Sequence, residues 1–102
     1  MVIRSFAELD AVMAERPPLH PAVAGANDPA TLTALADALA AGRIAGAVLA
    51  GDAETITRLL PEPLVGKVVI RSARDATEAA ALAVAAIRAG EADVLVKGSV
   101  DS

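Results

Sequence analysis

Four short apolar runs, separated by segments with helical spacing of apolar residues, restrict this chain to an alternating α/β architecture. The first run, residues 22–24, ends at Gly25-Ala26-Asn27 and is followed by Asp28, a residue type favoured at a helix N-cap. The second run, residues 45–50, ends at Gly51-Asp52 in the same way. Because the runs are apolar without alternation, we expect strands buried on both faces, which is typical of a parallel sheet.

The segments between the runs have the features of amphipathic helices. Residues 28–42 carry leucines at helical spacing and end in glycine, and Asp75 with Glu78 forms a capping pattern that opens an alanine-rich helix. Residues 67–70 and 94–96 are the third and fourth predicted strands. Strands and helices therefore alternate along the chain.

We predict one α/β domain over residues 1–102, with a leading helix and linker over 1–19 and a βαβαβαβ unit over 20–102. The predicted fold class is a three-layer α/β/α arrangement with a mostly parallel four-stranded sheet and right-handed connections. The third strand contains Lys67, and a charged residue suits an edge. The expected strand order is therefore 3-2-1-4.

In that order the second and third strands are added on one side of the first strand, and the fourth strand is added on its other side. Open α/β sheets bind ligands where the order reverses, outside the carboxyl ends of the strands. The crevice would lie between residues 25–28 and residues 97–99. The helix that follows Asp28 would point its N-terminus into the crevice, which favours an anion. Lys97 would then be either a phosphate contact or a solvated residue at a strand end.

Composition narrows the classes of function. The chain has a net charge of -4 and one aromatic residue, so it offers neither the basic surface nor the stacking platform of a nucleic-acid binder. It has no cysteine, and no segment has the roughly 18 consecutive apolar residues of a membrane span. We expect a cytoplasmic protein that engages neither nucleic acid nor membrane.

Several catalytic patterns are disfavoured by the sequence. His20 is the only histidine and precedes the first strand, so it would lie at the opposite pole of the sheet from Ser99 and Ser102. With no cysteine either, we expect no metal site. No glycine belongs to a G-x-G-x-x-G pattern, and Lys97-Gly98-Ser99 lacks the upstream glycine of a P-loop.

Four stretches of the sequence carry a family resemblance. They are Pro-Ala-Val-Ala-Gly-Ala-Asn-Asp (21–28), Ala-Val-Leu-Ala-Gly-Asp (47–52), Asp-Ala-Thr-Glu-Ala-Ala (75–80) and Ala-Asp-Val-Leu-Val-Lys-Gly-Ser-Val-Asp-Ser (92–102). In order and spacing they resemble the amino-terminal part of phosphate acetyl/butyryltransferases. The last stretch is the most specific, because the family shows a lysine-glycine pair, a small residue and then a serine or threonine, a position that Ser102 fills.

The resemblance implies a fold related to isocitrate and isopropylmalate dehydrogenases, with two α/β domains, and a homodimer in the full-length protein. It also implies the reaction of phosphate with an acyl-CoA of the acetyl or butyryl class, which gives acyl phosphate and CoA. Coenzyme A is then a substrate, and no cofactor is permanently bound. Such a site must hold a phosphate dianion beside a developing oxyanion. The residues expected to bind substrate or phosphate are Lys97, Gly98, Ser99, Ser102, Asn27 and Asp28.

Enzymes of this family are longer than 102 residues, so the resemblance covers only their amino-terminal portion. We expect the catalytic residues to lie in a carboxyl-terminal portion that this sequence does not include, and the chain alone to be inactive. Two alternatives stay open. One is a non-catalytic phosphate- or CoA-binding module, and the other is an assembly domain whose exposed fourth strand pairs with another chain.

Overall fold

The computed structural model describes residues 18–97 in full and the backbone of residues 2–3. The strands are β1 (Val2–Ile3), β2 (Pro21–Ala24), β3 (Ala47–Gly51), β4 (Val68–Ser72) and β5 (Val94–Lys97). The helices are α1 (Pro29–Ala40), α2 (Ala53–Leu59) and α3 (Ala76–Arg88), with a 3-10 helix at Glu62–Leu64. The predicted leading helix, and Gly98, Ser99 and Ser102, lie outside the described residues.

The described strands form one parallel sheet in the order β1-β5-β2-β3-β4. For the four predicted strands this is the expected order, and the third of them, β4, is at an edge. This strand is five residues long. Lys67 directly precedes it.

The fourth predicted strand is not an open edge, and that prediction is wrong. In β1, Val2 pairs with Leu95 and Ile3 pairs with Val96, so β5 has a neighbour on both sides. A strand of two residues has too little sequence to show a periodicity, which is why it escaped the prediction. An edge-assembly function therefore cannot use β5 over these residues.

Helices cover both faces of the sheet, which confirms the three-layer α/β/α class. Leucines and an isoleucine of α1 and α2 pack with alternate strand residues in one core. This first core includes Leu32, Leu35, Leu49, Ile56 and Val96. The opposite core lies beneath α3 and consists mostly of alanine, with Ala83 and Ala86 packed with Val48.

Aspartate side chains begin two of the helices, as the sequence predicts. The Thr31 backbone N–H donates to the Asp28 carboxylate at 3.3 Å, and the Glu78 backbone N–H donates to the Asp75 carboxylate at 2.8 Å. Each bond satisfies a helix N–H that has no partner within its helix. At the far end of α1, Gly42 has φ 74° and stops the helix where the sequence predicts.

At the amino pole, His20 and Asp93 connect the starts of β2 and β5. The His20 N–H donates to Asp93 Oδ2 at 3.0 Å, and the Asp93 N–H donates to the His20 carbonyl at 2.8 Å. His20 thus lies at the pole where the sequence places it, opposite Lys97. None of the helices in the described ranges is long and apolar enough to cross a membrane.

Candidate functional site

The carboxyl ends of β2 and β5 meet at the point where the strand order reverses. From β2 the chain adds β3 and β4 on one side, and α3 then returns it to β5 on the other side of β2. Ala24 pairs with Lys97 at the ends of these two neighbouring strands. The turn at residues 25–28 and Lys97, which would form the two walls of the predicted crevice, therefore follow the ends of adjacent strands.

Lys97 is the cationic group of this reversal point. Val96, directly before it, is fully buried, whereas the Lys97 side chain is exposed. Within residues 18–97, the Lys97 ammonium has no hydrogen-bond or ion-pair partner. A lysine whose backbone is paired with Ala24 of the neighbouring strand, and whose ammonium has no partner among these residues, is well suited to contact an anion.

The turn after β2 is held against β3. Gly25 has φ 79°, a left-handed conformation that glycine adopts without steric cost. Its N–H donates to the Ala50 carbonyl at 2.8 Å, and the Ala26 N–H donates to the same oxygen at 3.3 Å. These two amides are therefore bonded within the fold. The turn serves to position its residues and does not offer these N–H groups to a ligand.

The side-chain oxygen of Asn27 forms a hydrogen bond with a second turn. Its Oδ1 accepts the backbone N–H of Asp52 at 2.8 Å, which joins the turn after β2 to the turn after β3. The close approach requires glycine at position 51, because a Cβ there would collide with Asn27 Oδ1. The Nδ2 group can still donate, so a ligand contact by Asn27 stays a prediction. Sequence reasoning missed the hydrogen bond between Asn27 and Asp52 and the reason it gives for glycine at position 51.

Asp28 caps α1 with its carboxylate, which accepts both the backbone N–H and the hydroxyl of Thr31, the latter at 2.9 Å. The Leu32 N–H donates to the Asp28 carbonyl at 3.2 Å, and Pro29 has no N–H. The carboxylate compensates the positive end of the α1 dipole, so this terminus attracts an anion less strongly than expected. Binding of phosphate by Asp28 stays a prediction that this geometry does not favour.

A small cavity of about 140 Å³ adjoins these turns at the carboxyl ends of β3 and β4. It is lined by Gly25, Asn27, Gly51, Asp52, Ala73, Arg74, Asp75, Ala76 and Ala79. Arg74 at its rim donates to the Glu78 carboxylate at 3.2 Å and is largely exposed. The cavity is smaller than the roughly 300 Å³ at which pockets for drug-sized ligands begin. It could hold only a small part of a CoA molecule.

The described residues bring Lys97 beside the end of β2 and Asn27 beside Asp52. They do not gather three or more histidine, aspartate or glutamate side chains in a group able to hold a metal ion. The predicted contacts at Gly98, Ser99 and Ser102 lie beyond residue 97, so their positions are not part of this geometry. The sequence matches no model of a known protein family and no curated protein sequence.

Proposed function

We propose that this chain is the amino-terminal segment of a phosphate acyltransferase, in which acyl-CoA and phosphate give acyl phosphate and CoA. The proposal rests on the exposed Lys97 ammonium at the reversal of strand order, directly beside the end of β2. The four stretches that resemble phosphate acetyl/butyryltransferases support it from the sequence.

Lys97 would hold one oxygen of the phosphate. In the reaction a phosphate oxygen attacks the thioester carbonyl, so the anion must be fixed and its repulsion from the developing oxyanion reduced. An ammonium on the end of a strand flanked by two others provides a fixed backbone position for this contact. The Nδ2 of Asn27, on the neighbouring turn, can donate to a second oxygen. The remaining catalytic groups are expected outside this chain.

Binding of inorganic phosphate to the purified 102-residue chain tests the proposal directly. Lys97→Gln should weaken phosphate binding by about tenfold or more, because a hydrogen bond from a charged group contributes about 1.5–3 kcal/mol. Lys67→Gln is the matched control, since Lys67 is the only other lysine, is also exposed, and precedes β4 at the amino pole. Titration followed by NMR chemical shifts or calorimetry would give both affinities.

An unchanged phosphate affinity in Lys97→Gln would contradict the proposal, as would an equal loss in Lys67→Gln. The chain alone is expected to release no CoA from acetyl-CoA or butyryl-CoA in the presence of phosphate. A binding module without turnover would give the same two results. An open reading frame that continues past Ser102 into a second α/β domain would favour the acyltransferase, and a stop codon there would favour the module.

A further inference from the structure

Among the strands that the structure describes, β4 has no neighbour on its outer edge, which carries backbone groups that none of those strands pairs. At the ends of the β3–β4 ladder, the Ala47 N–H donates to the Lys67 carbonyl at 3.3 Å and the Ala73 N–H donates to the Gly51 carbonyl at 2.7 Å. Since the residues of a strand that bond one neighbour alternate along a parallel ladder, every second residue of β4 faces away from β3. The residues whose N–H and C=O groups point outward are Val68, Ile70 and Ser72.

The side chains along this edge are largely apolar. Val69 is 50% exposed and Val65, in the preceding turn, is 63% exposed. The Arg71 guanidinium is paired with the Glu91 carboxylate at 2.7 Å, and both side chains are partly exposed. The register with β3 runs without a bulge, and β4 contains no proline. The charged residues of this edge are Arg71 within the strand and Lys67 just before it, so a pairing register must keep these two side chains from lying opposite each other.

We propose that β4 pairs antiparallel with β4 of a second copy of this chain, about a two-fold axis at Ile70. In this register Ile70 lies opposite Ile70 of the second copy, and Val68 lies opposite Ser72. All the outward-pointing residues of β4 then fall in hydrogen-bonded pairs. The two sheets become one continuous sheet through an interface that uses the same surface on both copies.

Charge selects this register over its neighbours. Moving the axis to Val69 would place Lys67 opposite Arg71, and moving it to Arg71 would place the two Arg71 side chains opposite each other. Like charges in opposed positions destabilise a strand pair. With the axis at Ile70, Arg71 lies opposite the exposed Val69, whose methyl groups its aliphatic part can cover. β-Branched Ile70 also faces its own copy, which is a favourable cross-strand pair.

A second copy fits this edge because, in that register, the strand is its own complement in hydrogen bonding and no two like charges lie directly opposite each other. The strand is only five residues long, so the interface is small. Interfaces of this size are usually weak and transient. We therefore expect a dimer that dissociates on dilution, with a dissociation constant of about 100 μM.

Sedimentation of the full 102-residue chain over a concentration series tests the inference. Val69→Lys places a lysine opposite Arg71 of the second copy and should weaken the dimer at least about tenfold. Val84→Lys is the matched control, because Val84 is also exposed, at 38%, but lies on α3. It should leave the dissociation constant within about twofold.

Hydrogen exchange gives a second measurement that needs no variant. The Ile70 N–H points outward in the monomer and is bonded in the dimer, so its exchange should slow at least about tenfold at concentrations above the dissociation constant. A monomer at about 1 mM would overturn the inference, as would an unaffected Val69→Lys dimer or an Ile70 amide whose exchange is independent of concentration.

Discussion

At the scale of single residues, two glycines of the central sheet region are required for different reasons. A Cβ at Gly51 would collide with Asn27 Oδ1, the end of a side chain that can move. A Cβ at Gly46 would lie 2.6 Å from the Lys67 carbonyl oxygen, which is fixed in the β3–β4 ladder. The first collision can be relieved by giving up one hydrogen bond, and the second cannot.

Gly51→Ala should therefore lower the free energy of unfolding by about 1–2 kcal/mol, because Asn27 must release the Asp52 N–H. In an Asn27→Ala background the same substitution should cost less, since the remaining close contact is with the Ile56 Cδ1 atom at 3.2 Å, which needs to shift by only a few tenths of an ångström. Urea denaturation of the two single variants and the double variant measures this coupling. Gly46→Ala should cost the same in both backgrounds. Equal costs for Gly51→Ala in both would show that Asn27 is not the reason for glycine.

At the scale of elements, α1 and α2 begin with the same Asp-x-x-Thr pattern but are capped differently. Asp28 accepts both the hydroxyl and the backbone N–H of Thr31. Asp52 accepts the Thr55 hydroxyl and has no side-chain bond to the helix backbone. Only the first arrangement satisfies an otherwise unpaired N–H of the helix, so only that aspartate is an effective cap.

Asp28→Ala should lower the free energy of unfolding by about 1 kcal/mol, whereas Asp52→Ala should lower it by less than about 0.5 kcal/mol. Asp28→Asn retains an oxygen acceptor and should recover most of the loss. Thermal unfolding of the three variants, followed by circular dichroism, checks the ranking. A larger loss for Asp52→Ala than for Asp28→Ala would contradict it.

The elements themselves were largely predictable, because caps and apolar runs are local signals. The helix starts after Asp28 and Asp75 were predicted correctly. The capping pattern at Asp75 is only half formed, since the Glu78 carboxylate accepts from the Arg74 N–H at 2.9 Å. Strand ends differed by one to two residues, and β4 continues to Ser72 because its register follows Gly51 of β3. The positions of strand ends therefore depend on the neighbouring strand and not on local sequence.

At the scale of the whole molecule, the two faces of the sheet carry unlike cores. Large aliphatic side chains such as Leu35 and Leu49 separate α1 and α2 from the strands. Beneath α3 the contacting residues are mostly alanines, including Ala22 and Ala83. A helix packed through alanine leaves little room for a larger side chain.

Ala83→Leu should therefore destabilise the fold by about 1–3 kcal/mol or more, because the added atoms would push α3 from the sheet. Ala80→Leu makes the same change on the exposed side of α3 and should be nearly neutral. Denaturant midpoints of the two variants give the comparison. A neutral Ala83→Leu would show that the interface beneath α3 can expand.

The reversal of strand order was predictable from the alternation of elements and from Lys67 at an edge. The finer geometry of the candidate site was not. The bond from the Asp52 N–H to Asn27 and the cavity of about 140 Å³ arise from turns that are 25 residues apart in sequence and meet only in the folded sheet. The capping bond of Asp28 was predictable, but its competition with an anion at the helix terminus emerged only from the geometry.

The place of β5 between β1 and β2 also bears on the order in which the molecule can be built. Both neighbours of β5 precede it in the chain, and Val2 pairs with Leu95, almost the full length of the described chain away. Closing so long a loop carries a large entropic cost, and contacts of high sequence separation slow folding. During synthesis β2, β3 and β4 can assemble early. β1 has no partner strand until β5 has been synthesised. The sheet is therefore completed late, when β5 takes its place between β1 and β2.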